Sequence, residues 1–266
     1  MAIIDTNLLF LKELESEDLD NLYTILVYGN KDDRYNNNKN LMEGLSDNTK
    51  VKLYYPDHKK YYDLMASELC EFGGNSICNW FRGRGVPYRE VLSDVSSKFG
   101  VKDQDNLTTE ELENALILET VKKTIDKMSE SERFEMAKSL NLNINININT
   151  CTAEALYAAF MVAFKLGGFK SYQLTVIIAN IIVKAITGAG LSLAGNAMLT
   201  KFMSIITGPI GWIVTGIWTA VDIAGPAYRI TIPAVFEIIL LRNKHLATIK
   251  ADGKDQNDWI NSIHND

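Results

Sequence analysis

The sequence predicts an all-α protein, a multi-helix bundle with a buried hydrophobic helical hairpin in its C-terminal half. Three observations carry this expectation. Apolar residues in the first half recur at intervals of three and four, the spacing of one helix face. Proline and glycine stand at the ends of those stretches, where helices begin and stop. The second half is a run of apolar segments cut by "LGGF", "TGAG", "TGPIG", "AGP" and "TIP".

The elements follow in chain order. In "ESEDLDNLYTIL", Ser16 is placed to cap a helix with acids in its first turn, and Leu19, Leu22, Tyr23 and Leu26 fall on one face. Gly29 to Asn48 is polar and Asn-rich around "NNNKN", which predicts a solvated loop. "YYPDHKKYYDLMASELCEF" opens with Pro56 in a first turn, lines up Tyr61, Leu64, Met65, Leu69 and Phe72, and meets Gly73-Gly74 as capping glycines. "PYREVLSDVSSKFG" starts at Pro87 and stops at Gly100; "TTEELENALILETVKKTIDKM" has a threonine N-cap, and "SESERFEMAKSL" follows. "NLNINININ" alternates with the two-residue period of a strand, although its setting between helices also suits a loop or isolated edge.

Beyond Thr152 the expected helices are 152–166, 171–187, 191–206, 209–224 and 233–248, with a short amphipathic tail near 255–264. The chain thus divides into 1–48, a small N-terminal helical segment with a polar loop, and 49–140, an amphipathic helical subdomain. An Asn-rich linker or edge segment (141–150) leads to an apolar helical core subdomain with an amphipathic tail (151–266).

Within that apolar half, Phe202 to Val221 are twenty residues without a charge, the length one bilayer span requires. Gly208-Pro209 splits the run, because Pro209 lacks a donor and suits the first turn of a new helix. Each piece is then at most about 17 residues, roughly 25 Å at 1.5 Å per residue, against a hydrocarbon core of ~30 Å. Buried core helices are the expectation, with Gly208, Pro209, Gly211, Trp212, Gly216 and Trp218 marking a hairpin that could meet a membrane or a client.

Charge is distributed unevenly. The net charge is −6, but residues 1–140 hold 18 basic against 26 acidic side chains, while residues 165–244 hold 7 against 2. A cationic apolar region would favour an anionic lipid surface if exposed. The acidic front half speaks against nucleic-acid binding, which wants a dominant basic field. Cys70, Cys78 and Cys151 are odd in number and contain no CxxC pair, so neither a disulfide framework nor a structural zinc site is indicated. The N-terminus lacks a basic n-region, and Asp5 interrupts its apolar residues, unlike a secretory signal.

Few residues invite chemistry. In "RGRGVPYRE", Arg82, Gly83, Arg84, Gly85 and Arg89 surround a turn that feeds a helix N-terminus, a weak candidate anion site. The alternative is a tight interhelical turn whose arginines pair with Glu90, Asp94 or another helix. His58 has no converging second ligand in sequence and reads as a surface histidine; Glu68 reads as a helix-edge acid. Cys70 and Cys78 read as small core residues. Asp222, Arg229 and Glu237 are polar positions in or beside apolar helices, where an Asp222–Arg229 ion pair would be structural. No catalytic residue, metal site or cofactor is indicated.

"YYPDHKKYYDLMASELCEFGGNSICNWFRGRGVPYREVLSDV", "GGFKSYQLTVIIANIIVKAITGAGLSLAGNAML" and "GPIGWIVTGIWTAVDIAGPAYRITIPA" resemble the YaaW-like family of uncharacterised bacterial proteins. "LLFLKELESEDLDNLYTIL" is similar to that family's small N-terminal domain of unknown function. The link of this family to ubiquinol–cytochrome c chaperone-like proteins implies an all-α fold and a non-enzymatic role. The expectation is a bacterial, cytoplasmic protein, or one peripheral to the inner membrane. Its partner is an anionic membrane surface reached by the hairpin or, alternatively, a protein client whose apolar segment it binds.

Overall fold

The computed structural model describes residues 5–29, 43–74, 85–139, 151–165, 168–187, 204–205, 207–213, 215–216 and 228–251. All regular structure among them is helical, as predicted. A 3-10 segment, Thr6–Glu13, leads into α1 (Ser16–Tyr28). The short α2 (Glu43–Asp47) and α3 (Thr49–Tyr54) precede a 3-10 turn at His58–Tyr61 and α4 (Tyr62–Gly74). Then come α5 (Tyr88–Lys98), α6 (Thr109–Lys127), α7 (Glu130–Ser139), α8 (Ala153–Lys165), α9 (Gly168–Thr187) and α10 (Tyr228–Ala251).

Two of these helices explain the apolar half. Every residue from Leu174 to Val183 in α9 and from Ile230 to Arg242 in α10 is buried. A helix apolar all round must be enclosed by others. Here α9 and α10 form the most extensive helix pair, and α1, α4, α5 and the N-terminal 3-10 segment also pack on α10. The amphipathic helices of the first half form the casing: α5 lies on α4 and α6, while α8 bridges α6 and α9. No helix among the described residues is long and apolar enough to cross a membrane.

Several caps are as the sequence reads. Thr108 and Glu111 form a reciprocal capping box at the start of α6. Gly100 follows α5 with φ +83°, a left-handed conformation open to glycine, and a Cβ there would strike the Lys123 ammonium.

Other expectations need correction. Ser16 is the first helical residue, not the cap. Its hydroxyl donates to Asp57 at 2.6 Å and accepts from the Lys59 amide, tying α1 to the 3-10 turn instead. The polar loop ending at Asn48 contains α2, whose Leu45 is buried. Pro56 sits in a turn ahead of the helix it was expected to open. Gly73 has a second role in the last turn of α4, which is described as far as Gly74: a Cβ there would lie 2.3 Å from Val91 Cγ2, so this glycine also lets α4 and α5 approach. Pro233 does not begin a helix, because α10 starts five residues earlier. Burial of Ile230 and Ile232 opposes the roughly 3 kcal/mol that an interior proline costs. Residues 140–150, with the alternating tract, and 191–203, with the expected third apolar helix, lie outside the described residues, as does the tail beyond Ala251.

Candidate functional site

Three places gather polar or exposed groups that the fold must account for. The first is the corner between α4 and α5. Gly85 stands where a Cβ would meet the Cys70 carbonyl carbon and the Glu71 nitrogen, each at 3.0 Å, and Val86 N–H donates to Cys70 O. The backbone of the corner therefore rests directly on α4, and a side chain at Gly85 would press on the α4 backbone. Arg89 reaches the loop after α5, where Nη2 donates to Gln104 O (2.6 Å) and Leu107 O (3.1 Å). Arg82, Gly83, Arg84 and Cys78 lie outside the described residues. Cys70 is half-buried, and burial, Asp5 and Glu71 push its thiol up to about 12. Burial and neighbouring Glu71 also raise the carboxyl of half-buried Glu68.

The second place ties the chain's beginning, middle and end together. Arg242, deep in α10, donates from Nε to Glu113 Oε2 of α6 at 2.8 Å, and from Nη2 to the Asn7 carbonyl at 2.7 Å. Its guanidinium lies 4.5 Å from the Phe10 ring centroid. Glu113 Oε1 accepts from the Tyr88 hydroxyl at 2.9 Å. Arg242 and Glu113 are both buried, with side chains 8% and 2% exposed. Burial pulls the guanidinium pKa down, but Glu113, Tyr88 and Glu110 together hold it above its ordinary value. Burial first, then Glu113, raises the Tyr88 phenol well above the usual tyrosine range. Asp5 completes the arrangement: one carboxylate oxygen accepts from Asn7 N–H, the other from Tyr88 N–H at the start of α5. Pro87 offers that helix no side-chain cap, so Asp5 serves from 83 residues away.

Neighbouring bonds extend the seam. Glu237, singled out in sequence, is buried in α10 and accepts from Asn21 of α1 at 2.8 Å. Lys244 bonds Asp18. His245 is buried beside Phe10, and desolvation lowers its pKa. A cleft of about 460 Å³ opens beside the Arg242–Glu113 pair, between α6 and α10. Sequence reasoning missed Glu113, Tyr88 and Arg242. The available signal was Glu113 four residues before Ile117 and three before Leu116, on the face that α6 buries.

His58 also departs from its surface reading. It is 2% exposed, with Nδ1 2.6 Å from Tyr61 Oη and Nε2 3.3 Å from Asp20 Oδ1, packed among the rings of Tyr23, Tyr55 and Tyr61. The Tyr61 phenol is raised by burial and by Tyr23 and Tyr55. Since Tyr61 is buried as well, substrate has no access to this pair. Among the described residues no group of three or more His, Cys, Asp or Glu could hold a metal ion.

The third place is the apolar run. Ile210 and Ile213, together with Pro209, turn inward, while Thr207, Gly208, Trp212, Thr215 and Gly216 face water. Trp212 is 76% exposed. Nothing lies within 4 Å of where a Cβ would stand at Gly208, Gly211 or Gly216. Arg229 is exposed near the start of α10, whereas Trp218 and Asp222 lie outside the described residues.

A casing of amphipathic helices around two apolar ones places the described chain in the all-α class. Residues 58–236 match the family model described as ubiquinol-cytochrome C chaperone, and residues 3–36 match a domain of unknown function, DUF3944. A UPF0174 protein of Helicobacter pylori strain J99 is 43% identical over 90% of this chain and 92% of its own length. A second from that strain is 36% identical over 76% of this chain and 97% of its own, and UPF0174 protein YaaW of Escherichia coli K12 is 30% identical over 92% and 96%. The chain belongs to the UPF0174 family, and its residues 58–236 place it in the family described as ubiquinol-cytochrome C chaperone. No solved structure matches it.

Proposed function

We propose that the chain is a non-catalytic, chaperone-like factor that holds an apolar segment of a client protein against the helical face at 204–216. One observation carries the reading: Trp212 stands 76% exposed between Gly208 and Gly216, each a turn away with open space above it. A large aromatic flanked by bare backbone gives a client helix both an anchor and close approach. The chaperone description of the matching family supports it.

A second reading comes from the charge pattern. Residues 165–244 hold 7 basic against 2 acidic side chains, so this half of the chain would suit an anionic bilayer surface met by the exposed Trp212, making the protein peripheral to the inner membrane. One experiment separates the two. The full chain and Trp212→Ser are titrated with a labelled apolar helical peptide in detergent-free buffer and floated with neutral and phosphatidylglycerol-rich vesicles. Peptide binding that needs Trp212, without flotation, supports the client reading. Flotation on anionic vesicles alone supports the lipid reading, and neither response overturns both.

A further inference from the structure

We infer that α8 is a self-association helix, which pairs antiparallel with α8 of a second copy of the chain across a two-fold axis. The pairing is independent of whether the Trp212 face takes a client. The inner face of α8 is occupied: Leu156, Phe160, Ala163 and Phe164 are buried, and the helix packs on α6 and α9. The opposite face is apolar too. Ala158 and Val162 are exposed, Val162 to 62%, and Met161 beside them is half-buried. In α6, by contrast, every exposed residue is charged: Glu110, Glu111, Lys122, Asp126 and Lys127. A helix apolar on both sides calls for cover on both.

Spacing and charge say what that cover is. Glu154, Ala158, Met161 and Lys165 follow at intervals of four, three and four, the spacing of a coiled-coil seam. Glu154 and Lys165 are both exposed, carry the only charges of α8, and stand at its two ends, about 16 Å apart along the axis. An antiparallel copy sets Glu154 opposite the partner's Lys165, and Met161 opposite the partner's Ala158, a large side chain against a small one. Each contact then occurs twice, as a two-fold axis requires. A parallel copy would oppose like charges at both ends.

The acid is ready for this role. Hydrogen bonds from its own N–H and from Thr152, with Arg133 nearby, lower the Glu154 pKa and keep it ionised. A carboxylate offers about four acceptor sites, so those bonds leave room for an ammonium. A strip roughly 20 Å long falls well short of the roughly 800 Å² per partner of a standard interface, so the pair is reversible and depends on concentration.

Sedimentation velocity on the full chain, from about 5 to 500 µM, tests the pairing and should show a monomer–dimer equilibrium. Val162→Asp, at an exposed site that folding tolerates, should raise the dissociation constant at least ~10-fold. Glu154→Lys and Lys165→Glu should each weaken the dimer alone, whereas an equal mixture of the two restores opposite charges at both ends and should associate within about 3-fold of the native chain. Trp212→Ser should leave the equilibrium unchanged. A monomer at every concentration, a dimer indifferent to Val162→Asp, a mixture no tighter than its components, or loss of the dimer in Trp212→Ser would each overturn the assignment.

Discussion

Replacing Arg242 with Met tests the seam that joins the two ends of the chain. The substitution keeps an unbranched side chain of similar length but strips Glu113 of its 2.8 Å partner and the Asn7 carbonyl of its donor. Glu113, whose side chain is 2% exposed, would be left buried with only the Tyr88 hydroxyl facing it. Breaking a buried pair from one side costs about 3–5 kcal/mol, because the remaining ion stays desolvated. Removing both charges is cheaper: Glu113→Leu with Arg242→Met leaves two unpaired neutral groups, Tyr88 Oη and Asn7 O, at about 1 kcal/mol each. The double variant should therefore be more stable than either single one. Urea unfolding followed by circular dichroism at pH 7 reads this directly. With a slope of about 3 kcal/mol per molar urea, Arg242→Met lowers the midpoint by roughly 1 M or more. A midpoint lowered by less than ~0.3 M, or a double variant as damaged as the sum of the singles, would refute a coupled, buried pair.

The remaining predictions concern single groups. Gly73→Ala should lower stability by about 1–3 kcal/mol, since its methyl would sit 2.3 Å from Val91 Cγ2, and Val91→Ala should restore part of the loss in thermal melts. Gly208→Ala meets nothing within 4 Å and should instead hold or raise the melting temperature, by up to about 1 kcal/mol of helix propensity. In a Cys78→Ser, Cys151→Ser background, a thiol pKa near 12 against an ordinary 9 leaves Cys70 roughly a thousandfold fewer thiolates at pH 8. Its labelling by a disulfide reagent should be slower by about that factor than in urea. Tyr88 keeps its proton in the folded protein above pH 10, where the unfolded chain loses it. Its contribution is thus fully present below pH 10 and declines as pH rises further, so Tyr88→Phe should flatten the alkaline fall in urea midpoint. Parallel pH profiles for the two proteins would count against that linkage.

Local signals carried most of the fold. The all-α class, the capping box at Thr108, the stop at Gly100 and the helices at α8 and α9 were legible because each follows from neighbours in sequence. What escaped depends on distant partners. Ser16 has a good cap residue's chemistry, but Asp57, 41 residues on, claims its hydroxyl. The close approach that Gly73 allows is invisible until Val91 is placed against it. His58 reads as a surface group until Tyr23, Tyr55 and Tyr61 close around it. The Tyr88–Glu113–Arg242 network spans three helices and could not be assembled from spacing, although Glu237 was recognised as a polar residue in an apolar setting. Of the residues read as a hairpin, Trp212 departs most from expectation, because a hydrophobic run predicts burial and this side chain faces water.

The same network bears on how the two matched regions act together. The chaperone family model ends at residue 236, and the N-terminal domain of unknown function covers residues 3–36. The bonds that dock the N-terminal region on α10 begin just past that boundary: Asn21 to Glu237, Asn7 to Arg242 and Asp18 to Lys244. Helix α10 thus serves both regions, with Ile230 to Phe236 inside the matched chaperone-family region and its following turns shared between that region, through Glu113, and the N-terminal region. Because one continuous helix serves both, the N-terminal region cannot leave without uncovering Arg242 and Glu113. Deleting residues 1–15 should therefore destabilise the whole bundle by at least the cost of opening that pair, about 3 kcal/mol, instead of releasing an independent unit. A truncated chain that melts at the temperature of the full one would show that α10 holds its place without this support.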